Sequence, residues 1–356
     1  MSASLVGSEM CIRDRPMTDY EIYSFESYKA HVHDDERPID RADLSLLDEV
    51  GINNYILQMK LNRPFFSKLS EEQIYELLSI TRNGVPTLAS ALNFGIYPQG
   101  LLPQLAITAT VIPGTEIGET TNDGVRFLDN KRIEGTLSEM LDEAIAFCNR
   151  NMRTQTIIDQ KTGKRNDKTE YPINAIREAI LNALIHRDYS VHTEGTTIQI
   201  SFFTNRLEIH SPGSLYGRMT VDDLGKARPD LRNPALATMS EFLLKTENRY
   251  SGIPTIRREM KEYGLPEPLF ENKRNEFVVT LFNKTENSIN NSEDNTDLIT
   301  FCKTPRTRQE ISDYLGLKTT QYVSKNYIQP LVNQGKLKLL DLSLIHISEP
   351  TRLALI

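Results

Sequence analysis

The sequence of 356 residues is poor in cysteine and lacks the spacing that would give its cysteines a structural role. Cys11, Cys148 and Cys302 lie far apart, without a CxxC pair or a Cys/His ligand pattern. Zinc sites and disulfide frameworks depend on such spacing. We therefore predict three free thiols, no zinc site and no disulfide scaffold.

Long apolar runs and nucleotide-motor motifs are also missing. No run approaches the roughly 18 apolar residues of a spanning helix, and no charged-then-apolar leader opens the chain, so a cytoplasmic protein without a membrane partner is expected. A P-loop requires GxxxxGK[ST], but Gly163-Lys164 is preceded by Ile158 where the first glycine should stand. A P-loop helicase motor is therefore excluded.

Positive charge is scarce over the whole chain but concentrated near its end. The net charge of -7 argues against a surface that is uniformly basic for nucleic acid. Between Lys303 and Lys338, however, there are seven Lys or Arg residues, and the acidic residues are only Glu310 and Asp313. This basic segment is the candidate for contact with DNA.

Both ends of the sequence look foreign to the protein. MSASLVGSEMCIRDR at the start and SLIHISEPTRL at the end resemble translated sequencing-adapter read-through. We exclude 1–16 and 342–356 from fold reasoning and expect an internal fragment of a longer protein. The alternative is a genuine flexible tail at each end.

The remaining chain has the composition of an ordinary folded protein and alternates helical and strand patterns. With 39% hydrophobic and 25% charged residues, its length suggests two or three folding units. Apolar spacing predicts helices within 41–82, with Ser70 as an N-cap, and over 137–149 and 173–184. β-rich runs predict a strand over 105–112, a hairpin over 196–209 and a strand over 277–282, before a polar linker.

One helix carries polar residues at regular spacing. In Arg177-Glu-Ala-Ile-Leu-Asn-Ala-Leu-Ile-His-Arg-Asp-Tyr-Ser190, Glu178, Asn182 and His186 recur every four residues and share one face. Burying unpaired polar groups in an apolar helix costs a few kcal/mol, so this face should border a cleft with water, metal or ligand. A polar stripe facing solvent is the alternative.

These residues carry a family resemblance. The run ExxxNAxxHRDYS, followed by a hairpin, a Pro-Gly turn, a long loop and SGIPxI, resembles the HATPase of the Schlafen AlbA-like, RecG-related regulators, which are divergent relatives of the GHKL ATPases. The resemblance runs from about Arg132 to Asn283, with weaker similarity back to Met17. It implies an α/β (α+β) fold, with a GHKL (Bergerat-type) sandwich that binds ATP and Mg²⁺.

The resemblance assigns roles to individual residues of the helix. Glu178 matches the carboxylate that activates water in hydrolytic relatives, and Asn182 matches the amide that holds Mg²⁺ on the triphosphate. Magnesium prefers hard oxygen ligands and keeps several waters, which suits one amide oxygen plus phosphates. His186 and Arg187 receive a supporting or phosphate-facing role. For Arg187-Asp188 the alternative is a surface ion pair.

Two later turns match the family imperfectly. Ser211 stands where relatives carry the aspartate that reads adenine, whereas Gly213 would permit close approach to the base, although a plain β-turn also explains Pro212-Gly213. Ser251 and Gly252 begin a helix whose amides could hold phosphate, although Tyr250 replaces a glycine common in relatives. A helix start without a ligand is the alternative.

The end of the chain resembles the winged helix-turn-helix that closes many of these regulators. The resemblance places five polar residues at the start of its third helix, where bases and phosphates are met: Lys318, Thr320, Gln321, Ser324 and Lys325. The alternative is a winged helix for protein contacts or packing. The region upstream of Arg41 resembles the tail of a Schlafen AlbA-like domain.

We thus expect a regulator that binds ATP and DNA. Its divisions would be a non-native end at 1–16, an α/β region at 17–131, the GHKL-like domain at 132–283, a linker at 284–296, a truncated winged helix at 297–341 and a non-native end at 342–356. Two alternatives are a Mg²⁺-dependent ATPase with Glu178 as its catalytic residue and a nucleotide-free scaffold. A homodimer is left open.

Overall fold

The computed structural model describes most of the chain and divides it into two compact units, 1–283 and 284–356. The described residues are 17–158, 165–228, 230–244, 251–283, 298–299, 301–302, 304, 306–315, 320–333, 337–340 and 352–355, although side chains at some of these positions are not described. The expected non-native start at 1–16, Cys11, the linker at 284–296 and Tyr250 lie outside them. Cys148 and Cys302 are free, as predicted, and both are buried.

The first unit combines helices with a six-stranded mixed sheet, which confirms the α/β class and is consistent with a GHKL-like domain. Its helices are α1 Asp19–Ala30, α2 Glu49–Asn62, α3 Glu71–Leu77, α4 Leu88–Phe94, α5 Pro98–Leu101, α6 Leu137–Asn151, α7 Ile173–His186, α8 Pro234–Leu243 and α9 Gly252–Glu262. Its strands are β1 Thr81–Arg82, β2 Val85–Pro86, β3 Ile107–Val111, β4 Asp129–Ile133, β5 Thr154–Ile158, β6 Arg165–Thr169, β7 Ile198–Phe202, β8 Arg206–Pro212, β9 Leu269–Asn272 and β10 Glu276–Phe282.

The main sheet has the order β4-β3-β7-β8-β10-β9, in which only β3 and β7 run parallel. The predicted hairpin is confirmed as β7 and β8, with Ile200 opposite Ile209. Along β8, Leu207, Ile209 and Ser211 are buried, while the residues that alternate with them up to His210 are half-buried. This period of two directs one face of the strand toward the core.

Helices α6 and α7 cover that core. Thr136 and Glu139 form a capping box that fixes the start of α6, and α6 packs on β3 and β4. Helix α7 contacts β8, and eight of its fourteen residues are buried because its sequence is largely apolar. The helices predicted from 137 and 173 are therefore confirmed.

The helical pattern over 41–82 is interrupted more often than its spacing suggests. Leu44–Leu46 is a 3₁₀ turn, and α2 begins only after Asp48, whose carboxylate caps the helix. Ser70 does cap α3, as predicted, and Gln73 completes its capping box. Ser79 adopts a left-handed conformation with φ of 55°, which a right-handed helix cannot continue through, so the chain turns into β1.

The expected division between 131 and 132 falls inside β4 rather than between folding units. A single hydrophobic cluster extends from Ile39 to Leu281 and includes Ile107 and Ile133 of the neighbouring strands. Because these strands complete the main sheet, the α/β region and the GHKL-like region share one core.

The second unit has its own small core and its own sheet. Its elements are β11 Arg306–Thr307, α10 Arg308–Tyr314, α11 Thr320–Val323, a π-helical turn Ser324–Ile328, α12 Gln329–Asn333, β12 Leu337–Leu340 and β13 Arg352–Leu355. The sheet order is β11-β13-β12, with antiparallel pairs. Strand β13 lies within 342–356, the stretch that resembles adapter read-through and was expected to stand outside the fold.

Candidate functional site

A cavity of about 590 Å³ opens in the first unit against α7. Ile209, Phe277 and Val279 of the sheet form an apolar part of its lining, while α7, the segment 213–232 and the start of α9 supply most of its polar groups. Cavities of roughly 300–1,000 Å³ with an apolar lining and a few polar groups are typical of small-molecule sites. This cavity is therefore the candidate site.

The polar face of α7 borders this cavity. Glu178, Asn182 and His186 all line it, together with buried apolar residues between them such as Ala179 and Ala183. The regular spacing of the three residues along a helix turns one polar face toward a single space. The structure thus brings together the three side chains of α7 that the spacing had singled out.

Helix α9 meets that face at its first residue. A Cβ built on Gly252 would lie 3.1 Å from Glu178 Oε2 and 3.2 Å from Asn182 Oδ1. The carboxylate and the amide therefore converge on one point beside the α9 backbone. Ser251 also lines the cavity, and the first amides of a helix lack intrahelical acceptors.

The Glu178 and Asn182 oxygens could supply only part of the coordination shell of a cation, so a bound small molecule and water would have to supply the rest. An amide and a carboxylate oxygen are the hard ligands that Mg²⁺ accepts. The described part of the chain contains no group of three His, Cys, Asp or Glu residues arranged to hold a metal. The amide oxygen of Asn182 and the carboxylate of Glu178 are donors of the type that such an ion accepts.

Ser211 occupies the cavity wall beneath α7. Its side chain is buried, and its hydroxyl donates to the Ala183 carbonyl over 3.3 Å. The residue also borders the cavity, where the lone pairs of its oxygen can accept a hydrogen bond. A serine at this position therefore retains acceptor chemistry without a carboxylate's charge.

Gly213 is required by the packing of this wall. It has φ of 101°, and a Cβ there would lie 2.4 Å from Asp188 Cβ. The preceding Pro212 belongs to β8 and accepts a hydrogen bond from the Asp188 amide. Pro212-Gly213 thus joins the sheet to the end of α7, which a plain surface turn would not do.

Arg187 has a different place from the one that a phosphate-facing role requires. Its side chain is buried outside the cavity lining, and its guanidinium donates to the carbonyls of Asp188, Thr193 and Thr196. Asp188 is also buried, so these residues are not a surface ion pair. Arg187 holds the loop that follows α7.

His186 lines the cavity, and the residue is exposed there. Desolvation, followed by the nearby Arg232 guanidinium, lowers the pKa of His186 to about 4. The imidazole is therefore neutral at physiological pH. A neutral ring can donate or accept a hydrogen bond but contributes no positive charge toward a phosphate.

Sequence reasoning missed the cationic part of the lining. Arg177, Arg232 and Arg258 border the cavity from α7, the 213–232 segment and α9. Arg177 immediately precedes Glu178 in the motif, and Arg258 lies seven residues after Ser251, about two helical turns along α9. Those spacings were visible, but the approach of α9 to α7 was not.

The structure describes only some of the second-unit residues that were expected to contact DNA. Thr320 and Ser324 lie on the helical stretch after α10 and are half-buried. Gln321 and Lys325 belong to the same stretch, but their side chains are outside the described residues, as is Lys318 altogether. A DNA-reading role for these five residues stays a prediction.

Within the described part of the chain, no helix is both long and apolar enough to traverse a bilayer.

The fold and cavity define an α/β domain with a candidate small-molecule site. The family model described as "Putative ATP-dependent DNA helicase recG C-terminal" matches residues 195–281, which run from β7 through β10. This part of the chain is therefore similar to that family. No curated protein matches the chain.

A solved structure shares the overall fold. The crystal structure of the DIP2311 protein from Corynebacterium diphtheriae is similar with a TM-score of 0.53 and 17% sequence identity. The similarity covers 96% of this chain and 68% of that chain. It supports the α/β fold alone.

Proposed function

We propose that the cavity binds ATP together with Mg²⁺. The observation that carries this proposal is the convergence of Glu178 and Asn182 on the first residue of α9, at a cavity of the first unit. The similarity of residues 195–281 to the RecG C-terminal family supports it. Asn182 Oδ1 would hold the ion, and the α9 amides would meet phosphate oxygens. The bound ion would draw negative charge from the phosphate oxygens.

Thermal unfolding of the full chain with ATP and Mg²⁺ tests this proposal. Binding to the folded state should stabilise it by about 2.7 kcal/mol at a hundredfold excess over the dissociation constant. Asn182→Ala should abolish the shift in melting temperature. Asn62→Ala, an exposed asparagine at the end of α2, is the matched control and should keep it.

Hydrolysis is a second candidate function that Glu178 favours. Its carboxylate lies beside Asn182 at the cavity, where it could accept a proton from a water molecule next to the terminal phosphate. Turnover that disappears in Glu178→Gln while ATP binding persists would identify an ATPase. Stabilisation by ATP without turnover would identify a nucleotide-binding regulator, and the lack of binding in the parent chain would leave a scaffold.

We further propose that the second unit is a winged helix that binds DNA. Its order of strand, helices and two strands, and its sheet order β11-β13-β12, support this proposal, as does its local positive charge. The full chain should bind duplex DNA with an affinity that falls as salt rises. The logarithm of the binding constant should fall linearly with the logarithm of the salt concentration. Lys318→Ala plus Lys325→Ala should reduce the magnitude of that slope by roughly two, whereas Lys60→Ala in the first unit should leave the slope unchanged.

A further inference from the structure

The positive charges of the cavity are unevenly available. Arg232 is buried, its guanidinium lies 3.7 Å from the Asp188 carboxylate, and it also donates to the Ser214 carbonyl. A guanidinium balanced in this way contributes little net charge to a ligand. His186 is neutral at physiological pH because its pKa lies near 4. Arg177 and Arg258 are therefore the arginines of the described lining that remain for an anionic ligand.

The packing of two helices brings these arginines to the Glu178 end. Gly252 of α9 lies beside Asn182 and Glu178 of α7, while Glu259 accepts a hydrogen bond from Asn174 over 3.3 Å. The two helices thus run in opposite directions, so the α9 residues between 252 and 259 pass alongside Glu178.

Arg258 stands next to Glu259 in this arrangement, and Arg177 stands next to Glu178. Arg177 donates one group to the Leu244 carbonyl over 3.0 Å, which leaves other guanidinium donors for the cavity. Arg258 is 57% exposed, and its guanidinium pairs with the carboxylate of the adjacent Glu259 at 3.3 Å. Both side chains can therefore turn toward a ligand.

We propose that Arg177 and Arg258 bind the terminal phosphate of a nucleoside triphosphate and make the site prefer triphosphate over diphosphate. This inference rests on the proposed nucleotide-binding function. Guanidinium groups match phosphate oxygens through paired donors and form stronger hydrogen bonds than neutral groups do. One arginine would approach from α7 and the other from α9, so the phosphate would join the two helices.

Binding of ATP and ADP, each with Mg²⁺, to the full chain tests the proposal by calorimetry. Arg258→Gln should weaken ATP binding roughly 10- to 100-fold, as expected for loss of a charge-assisted hydrogen bond, with ADP binding nearly unchanged. Arg177→Gln should act in the same direction. Arg258→Lys should recover part of the ATP affinity because it restores the charge without the paired donors.

Lys261→Gln is the matched control because it removes one positive charge from an exposed position of α9 outside the cavity lining. It should change neither affinity. Equal losses of ATP and ADP binding in the arginine variants, or no loss at all, would overturn the proposal while leaving nucleotide binding intact. If the parent chain binds neither nucleotide, the proposed function fails, and this inference fails with it. Unfolding curves without ligand check that every variant is folded.

Discussion

Gly252 closes on Asn182: a Cβ added to the glycine would stand 3.0 Å from the amide nitrogen of the asparagine. That separation is shorter than an ordinary van der Waals contact, so an added methyl group would displace the amide by a few tenths of an ångström. The same methyl group would also approach Glu178. Glycine therefore fits at the start of α9 better than any residue with a side chain, because a Cβ there would push against Asn182 and Glu178 at the cavity.

We predict that Gly252→Ala weakens ATP binding without unfolding the domain. Alanine favours a helix over glycine by up to about 1 kcal/mol, which offsets the small steric displacement. Calorimetry should therefore show reduced affinity, while urea unfolding without ligand shows little change. A variant that binds ATP as the parent does would mean that Asn182 and Glu178 can shift without consequence.

The contrast between α7 and α9 explains which parts of this site are visible in sequence. The polar face of α7 and the β7–β8 hairpin follow from local periodicity, and both were predicted. The packing of Gly252 against Asn182, where an added Cβ would lie 3.0 Å from the amide nitrogen, arises from tertiary structure. Local patterns contain no information on which helix lies beside which, so Arg258 could not be placed at the cavity.

Arg187 shows a related limit of motif reasoning. Its position beside His186 suggested that both face the ligand, yet one borders the cavity and the other is buried in the protein. The chain leaves the helix after His186, and the loop to Thr196 folds back so that its carbonyls surround the guanidinium. The direction of a side chain beyond a helix end depends on that loop.

We predict that Arg187→Ala destabilises the first unit by about 3 kcal/mol. The substitution removes the guanidinium donor from the carbonyls of Asp188, Thr193 and Thr196. A buried carbonyl left without a hydrogen-bond donor costs on the order of 1–3 kcal/mol before the structure relaxes. Urea unfolding measures the loss. Arg258→Ala removes an exposed arginine and should lower stability far less. Similar losses for both variants would contradict the structural role of Arg187.

Ser211 supports a prediction about the nucleotide base. Its hydroxyl hydrogen is directed to the Ala183 carbonyl, so its oxygen can present only lone pairs to the cavity. An acceptor favours the amino group of adenine over the carbonyl of guanine. In a competition experiment the parent chain should therefore bind ATP more tightly than GTP. Ser211→Ala should reduce the difference between the two affinities. An unchanged preference in the variant would exclude Ser211 as a reader of the base.

A charged cluster on β8 and β10 makes stability depend on pH. His210 lies 3.0 Å from Glu208 and 3.1 Å from Glu276, and its side chain is 15% exposed. Burial disfavours the imidazolium, but the hydrogen bonds to both carboxylates outweigh burial and raise the pKa of His210 to about 9. Burial likewise opposes the charge of Glu208, yet His210 and Arg206 lower the pKa of Glu208 to about 2.

We predict that the parent chain loses stability as pH rises from about 6.5 to 9. The folded state holds the His210 proton more tightly than the unfolded state does, so its contribution is complete below the ordinary pKa of 6.5 and disappears as pH passes the folded value. A tenfold change in proton affinity corresponds to about 1.4 kcal/mol, so the rise in the pKa of His210 contributes at most about 3.5 kcal/mol. His210→Gln should flatten this part of the urea-unfolding profile. The lowered pKa of Glu208 acts at the acidic end of the pH range. The stabilisation that it provides is complete above about pH 4.5 and is lost as the pH falls toward 2. A variant with the parent's slope between pH 6.5 and 9 would show that other groups bind the proton.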